Sequence, residues 1–136
     1  LSFRTALRIY PQYQEAAFGI GKTYHDRGMT AGALRWYRET LALDPRHLKA
    51  HLNIGVLHLH AGRLTAAEES FENGLAIQPD DARMLTGIGF VRLAEGRFDE
   101  ARARFEEARR IDPDVPDAGR GLHLALRRGD VAAQGS

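Results

Sequence analysis

The sequence predicts an all-α fold, a solenoid of stacked helix-turn-helix hairpins, and three observations predict it. Pro11, Pro45, Pro79 and Pro113 follow one another at a step of 34 residues. Two glycine series keep the same step, Gly21, Gly55, Gly89 and Gly28, Gly62, Gly96. So do Ala33, Ala67 and Ala101, and the aromatics Phe3, Tyr37, Phe71 and Phe105. Self-similarity at such a period marks one supersecondary unit repeated. A unit of that kind cannot bury its apolar face alone and must stack on its neighbours.

The elements follow in order, with helices expected near 1–9, 14–27, 31–43, 48–61, 65–77, 82–95, 99–111 and 116–128. Gly21, Gly55 and Gly89 fall mid-helix, where glycine costs about 1 kcal/mol against alanine. That is tolerable where two helices must approach closely. Ile20, Ile54 and Ile88 beside them read as core. Gly28, Gly62 and Gly96 end the first helix of each hairpin in the left-handed region. Thr30, Thr65 and Asp99 offer side-chain oxygens to cap the second helix. Ala33, Ala67 and Ala101 keep the hairpin tight, and Tyr37, Phe71 and Phe105 fill the space beside them. Asp44-Pro45, Gln78-Pro79-Asp80 and Asp112-Pro113 then stop the second helix.

The chain therefore reads as one domain over 1–136. Residues 1–13 are the second helix of a preceding repeat, 14–47, 48–81 and 82–115 are three full repeats, 116–130 is a C-terminal capping helix, and 131–136 is a tail expected to fray. The sequence begins at Leu1 without Met and inside a helix, so it reads as a fragment of a larger protein.

Hydrophobic residues make up 43% and charged residues 27% of the 136, which suits a globular domain with its own core. A formal net charge of +1 argues against nucleic acid as the partner. Nearly all the positive charge is arginine, since only Lys22 and Lys49 are lysines. That bias is read as a GC-rich, bacterial genome, with cytoplasm and periplasm both open. Cysteine is absent, which excludes disulfides. No apolar run approaches the roughly 20 residues of a membrane span.

The repeated positions resemble the tetratricopeptide repeat. The first unit carries Ile20-Gly21, Tyr24, Ala33, Tyr37 and Pro45. The second carries Ile54-Gly55, His58, Ala67, Phe71, Gly74 and Pro79, and the third Leu85, Ile88-Gly89, Arg92, Ala101, Phe105, Ala108 and Pro113. His58 and Arg92 stand where the family has Tyr, and Ala17 and His51 stand where it has a first large residue. Phe3, Ala6 and Pro11 match the end of an earlier repeat. Leu122 and Leu126 match a first helix in which His123 replaces the glycine. The resemblance implies a right-handed superhelix with a concave wall lined by the first helix of each repeat, and a protein-interaction scaffold rather than an enzyme.

Three motifs point elsewhere and are outweighed. Ala16 to Thr23 imitates a relaxed phosphate loop, but such a loop needs a strand before it and a helix starting at the lysine. Here all eight residues fall within one helix. His47, His51 and His58 have helical spacings that could share a face. No further ligand completes a metal site, so His51 and His58 read as packing residues and His47 and His60 as solvated. Glu68-Glu69 and Glu106-Glu107 read as solvated carboxylates paired with arginines. No cofactor, metal or catalytic residue is implied.

Mapped by the resemblance, the inward positions give the expected partner-binding groove: Phe18, Lys22, Lys49, Leu52, Asn53, Val56, Leu59, Arg83, Thr86, Phe90, Leu93, Arg120 and Leu124. The apolar members form a track, and an apolar track on an open wall marks an interaction surface. The cations make that wall basic although the chain is nearly neutral. The expected ligand is another protein or peptide with apolar anchors and acidic character, an amphipathic helix being one form. A terminal-carboxylate clamp of the kind some family members use is incomplete here. Asn53 and Arg83 fit it, whereas Phe18, Lys22 and Gly87 do not. A structural spacer, a recruiting arm of a larger enzyme or envelope/secretion complex, or a self-association module are the alternatives.

Overall fold

The computed structural model describes residues 12–135. The expected helix over 1–9, with Phe3, Ala6 and Pro11, lies outside the described residues. Seven helices follow within them: α1 (Gln12–Asp26), α2 (Thr30–Leu43), α3 (Leu48–His60), α4 (Leu64–Ile77), α5 (Ala82–Ala94), α6 (Phe98–Ile111) and α7 (Ala118–Gln134). There is no strand among the described residues. Each helix packs on the next, and α3 with α5 and α5 with α7 also touch, so the first helices of successive hairpins form a continuous wall.

Within a hairpin, the turn is set by a left-handed glycine: φ is +72° at Gly28, +76° at Gly62 and +78° at Gly96. In the first, the Gly28 N–H donates to His25 O (2.9 Å) and the Met29 N–H to Tyr24 O (2.9 Å). The same pair recurs at Gly62 and Gly96. This double bond closes the last carbonyls of one helix and delivers the chain directly into the next. The second helices consequently start at Thr30, Leu64 and Phe98, preceded by Met29, Arg63 and Arg97 with no side-chain cap. The expected caps Thr30, Thr65 and Asp99 lie inside the first turn. Side-chain capping falls instead on first helices, where Asp81 accepts from the N–H groups of Arg83 and Met84. His47 does the same for α3, its Nδ1 accepting from Ala50 N at 3.1 Å.

His47 was expected in solvent and is buried. With Nδ1 an acceptor, its Nε2 carries the proton and donates to Glu15 on α1 at 3.0 Å. His51 is likewise buried and donates to the Pro45 carbonyl. His60 is exposed.

The core is built at the junctions between hairpins. Tyr37, Phe71 and Phe105 are fully buried, as are Ala33, Ala67 and Ala101. Phe71 lies between two glycines, one in its own hairpin and one in the next. A Cβ at Gly55 would stand 2.5 Å from its ring and one at Gly87 2.6 Å. Phe105 sits in the same way between Gly89 and Gly121. Ile54 and Ile88 are core, as expected, whereas Ile20 is exposed. Ile54 packs on Tyr37 of the preceding hairpin and Ile88 on Phe71.

The last helix departs from the period at both ends. Expected over 116–128, it begins at Ala118, because the capping place held by His47 and Asp81 is held by Val115, whose side chain is buried instead. Asp117 then takes a left-handed φ of +68°. At the other end, the place of Gly28, Gly62 and Gly96 is held by Asp130. With no left-handed stop the helix continues to Gln134, so the tail expected to fray from 131 is helical. The backbone of Gly129 passes Phe98 there, an added Cβ lying 3.5 Å from that ring's own Cβ.

Candidate peptide-binding groove

The wall made by α3, α5 and α7 encloses a groove of about 540 Å³. Each turn of helix contributes one lining side chain because residues three and four apart share a face. Leu52, Val56 and Leu59 come from α3, Phe90 and Leu93 from α5, and Leu124 from α7. Arg83, Arg120 and Arg128 edge it, with Thr86, His60 and Asp117 between them. Arg120 lies over the Phe90 ring at 5.1 Å from its centroid, a cation–π geometry, and is 3.6 Å from Asp117. Phe90 is held from behind by an edge contact with Phe105, centroids 5.0 Å apart.

Acidic residues are unevenly placed between the groove helices and the two helices behind them. Neither α3 nor α5 contains an Asp or Glu. α4 carries Glu68, Glu69 and Glu72, and α6 carries Asp99, Glu100, Glu106 and Glu107. The groove side is basic for this reason, although the whole chain is close to neutral.

Nine of the thirteen expected groove residues meet here: Leu52, Val56, Leu59, Arg83, Thr86, Phe90, Leu93, Arg120 and Leu124. Thr86 is buried, and its hydroxyl donates to Ala82 O at 2.8 Å, so it shapes the floor rather than offering a free donor. The other four lie elsewhere. Phe18 stacks beside Tyr37 and His47, with centroids 5.6 and 4.8 Å away. Lys22 and Lys49 are exposed but line no part of the groove. Asn53 occupies the place of Gly87 and Gly121, and its amide donates to the Tyr37 hydroxyl at 3.3 Å. That hydroxyl also meets His25 Nδ1 at 3.0 Å. Tyr37 alone of the three buried aromatics has a hydroxyl to satisfy, and Asn53 and His25 replace the glycine and leucine found at the later junctions. Sequence reasoning missed Pro116 and the groove-facing edge of Phe71, which is reached through the gap left by Gly87. Gly87 at an inward position was the available signal.

Burial lowers the pKa of His25 and of His58 below 6.5, helped at His58 by Arg63 and Arg38. The unfolded chain therefore binds protons that the folded chain refuses as the pH drops through that value. Stability is complete above it and declines below. Thermal melts taken from about pH 7.5 down to about pH 5.5 should show a falling midpoint, and His58→Gln should flatten the slope. A midpoint that rises on acidification contradicts this account.

One family model for the tetratricopeptide repeat matches residues 46–114, and a second matches residues 2–46. The chain belongs to the tetratricopeptide repeat family. Among solved structures, this repeat domain is similar to the first TPR domain of the human RPAP3 protein, with TM-score 0.84 at 16% identity over 93% of this chain and all of that one (100%). The Sgt2 TPR domain from Aspergillus fumigatus gives TM-score 0.82 at 17% identity, covering 90% of this chain and 82% of that one. The second TPR domain of human RPAP3, solved in complex with the HSP70 peptide SGPTIEEVD, gives 0.76 at 19% identity over 86% and 98%. No curated protein matches the tetratricopeptide chain by sequence. Among its described residues no trio of His, Asp or Glu is placed to hold a metal ion. No helix among the described residues is long and apolar enough to cross a membrane.

Proposed function

We propose that this domain holds an acidic, apolar-anchored peptide segment in the groove between α3, α5 and α7, and acts as a scaffold for the partner that carries it. One observation carries the reading: an open apolar trough is edged by Arg83, Arg120 and Arg128, and two of its three helices, α3 and α5, contain no Asp or Glu. A patch of that kind has no role on a surface that meets only water. The three rim arginines suit carboxylates, which they can grip through two parallel N–H bonds. The peptide held by the second RPAP3 domain, SGPTIEEVD, combines acidic and apolar residues in the same way.

The test uses a labelled peptide of about 15 glutamates and alanines with a single leucine, titrated by fluorescence anisotropy. The native chain should bind it, and a version with lysine in place of glutamate should not. Arg83→Glu should weaken binding about tenfold, the size of one lost charge-assisted contact. Lys49→Glu, outside the groove, should leave it unchanged. Equal losses from Arg83→Glu and Lys49→Glu would mean that the peptide senses net charge and not the groove.

A further inference from the structure

We infer that the overrun of α7 builds a second anchor pocket, so that the groove selects an acidic helical peptide with two apolar side chains about one turn apart. The inference rests on the peptide-binding reading above and adds a site to it. In α3 and α5 the helix spans 13 residues, whereas α7 spans 17. The added turn follows from Asp130 standing where the other first helices have a stopping glycine. It carries Val131 and Ala132 past the start of α6, where together with Phe98 they line a depression of about 490 Å³.

This pocket adjoins the groove, since Leu124 and Arg128 line both. On α7 the groove is lined from Arg120 to Arg128 and the second pocket from Leu124 to Ala132. The second lining is thus offset by about four residues along the helix, or about 6 Å. A ligand helix lying alongside α7 presents side chains at that interval, on one face, when they are four residues apart. Arg127 and Arg128 edge the new pocket as Arg83 and Arg120 edge the first, which fixes the same acidic character for the whole ligand. Val131 is 69% exposed, so its side chain is available to a ligand and contributes little to the fold.

The experiment compares the single-leucine peptide with a sibling carrying a second leucine four residues on. On the native chain the two-anchor peptide should bind about tenfold tighter, the effect of burying one more apolar side chain. Val131→Asp should erase that advantage and leave the single-anchor affinity as it was. Equal binding of the two peptides to the native chain overturns the inference while the groove reading stands. So does a loss from Val131→Asp that is the same for both. If neither peptide binds the native chain, the groove reading fails and the second pocket fails with it. Light scattering that shows a dimer dispersed by Val131→Asp would assign the pocket to a second copy and also overturn the inference.

Discussion

Replacing Phe71 by alanine should destabilise the domain by about 3–5 kcal/mol, the largest effect expected of any single truncation here. Phe71 is fully buried at the junction of the second and third hairpins, where it packs with Met84, Ile88 and Val91. Glycines on both sides leave it no slack. The backbone of Gly55 and that of Gly87 approach so closely that a methyl group on either would overlap the ring at about 2.5 Å. The ring cannot swing away from one without meeting the other. Gly87→Ala should therefore cost about 1–3 kcal/mol, as overpacking does in a rigid core. The same change in a Phe71→Leu background should cost clearly less, because the smaller side chain vacates the overlap. Urea denaturation of the two singles and the double variant measures this coupling. Additive losses would show that the glycine serves helix geometry and not the aromatic.

Arg92→Ala should remove about 2 kcal/mol. That is less than a fully buried ion pair and more than a surface one, because the two partners are only 16% and 26% exposed. The Arg92 guanidinium grips both oxygens of Glu68 on α4, at 2.5 and 2.9 Å, and donates to Glu95 at 2.9 Å. It thereby ties the second hairpin to the third. Arg97 pairs with Glu100 and approaches Glu95, closing the network on its exposed side. Hydrogen bonding from Arg92 holds the Glu68 carboxyl below its ordinary 4.5. A depressed carboxylate contributes stability above its unfolded value and loses it as the pH falls through the folded one. The contribution of Glu68 should thus persist through the loss caused by His25 and His58 and fade only below the ordinary carboxylate range, and Arg92→Ala should bring acid unfolding to higher pH.

The first hairpin uses a different solution at the same place. There Tyr24 lies over Gly32, so closely that a Cβ on the glycine would be 2.7 Å from the ring. Arg92 and Glu100 hold the two corresponding positions in the third hairpin. Arg92→Tyr alone should be poorly tolerated, because Glu100 denies the ring its seat. Arg92→Tyr with Glu100→Gly should recover much of the loss. Failure of the second change to help would mean the two positions are not coupled.

Most of the architecture was legible before any coordinates, and the reason is local. Left-handed turns favour glycine, helix interiors exclude proline by sterics and its missing N–H, and close helix contacts demand small residues. Gly28, Gly62, Gly96 and the alanines at 33, 67 and 101 therefore announce hairpins wherever they fall. Groove residues were legible to the extent that helical periodicity fixes a face, which is why nine of thirteen converge. Phe18, Lys22, Lys49 and Asn53 escaped because a face is not yet a contact. Asn53 turned to the Tyr37 hydroxyl, and Phe18 to His47 across the junction.

The sequence by itself determined the repeat, the hairpin turns and the sign of charge on each wall, since these depend on residues near one another in the chain. Only the tertiary structure decided that His47 is a buried cap, that Ile20 stays exposed, and that Arg92 joins two hairpins. It alone placed Val131 beside Phe98. Each of those depends on which side chain of a distant helix arrives at the same point, and a periodic pattern carries no record of that.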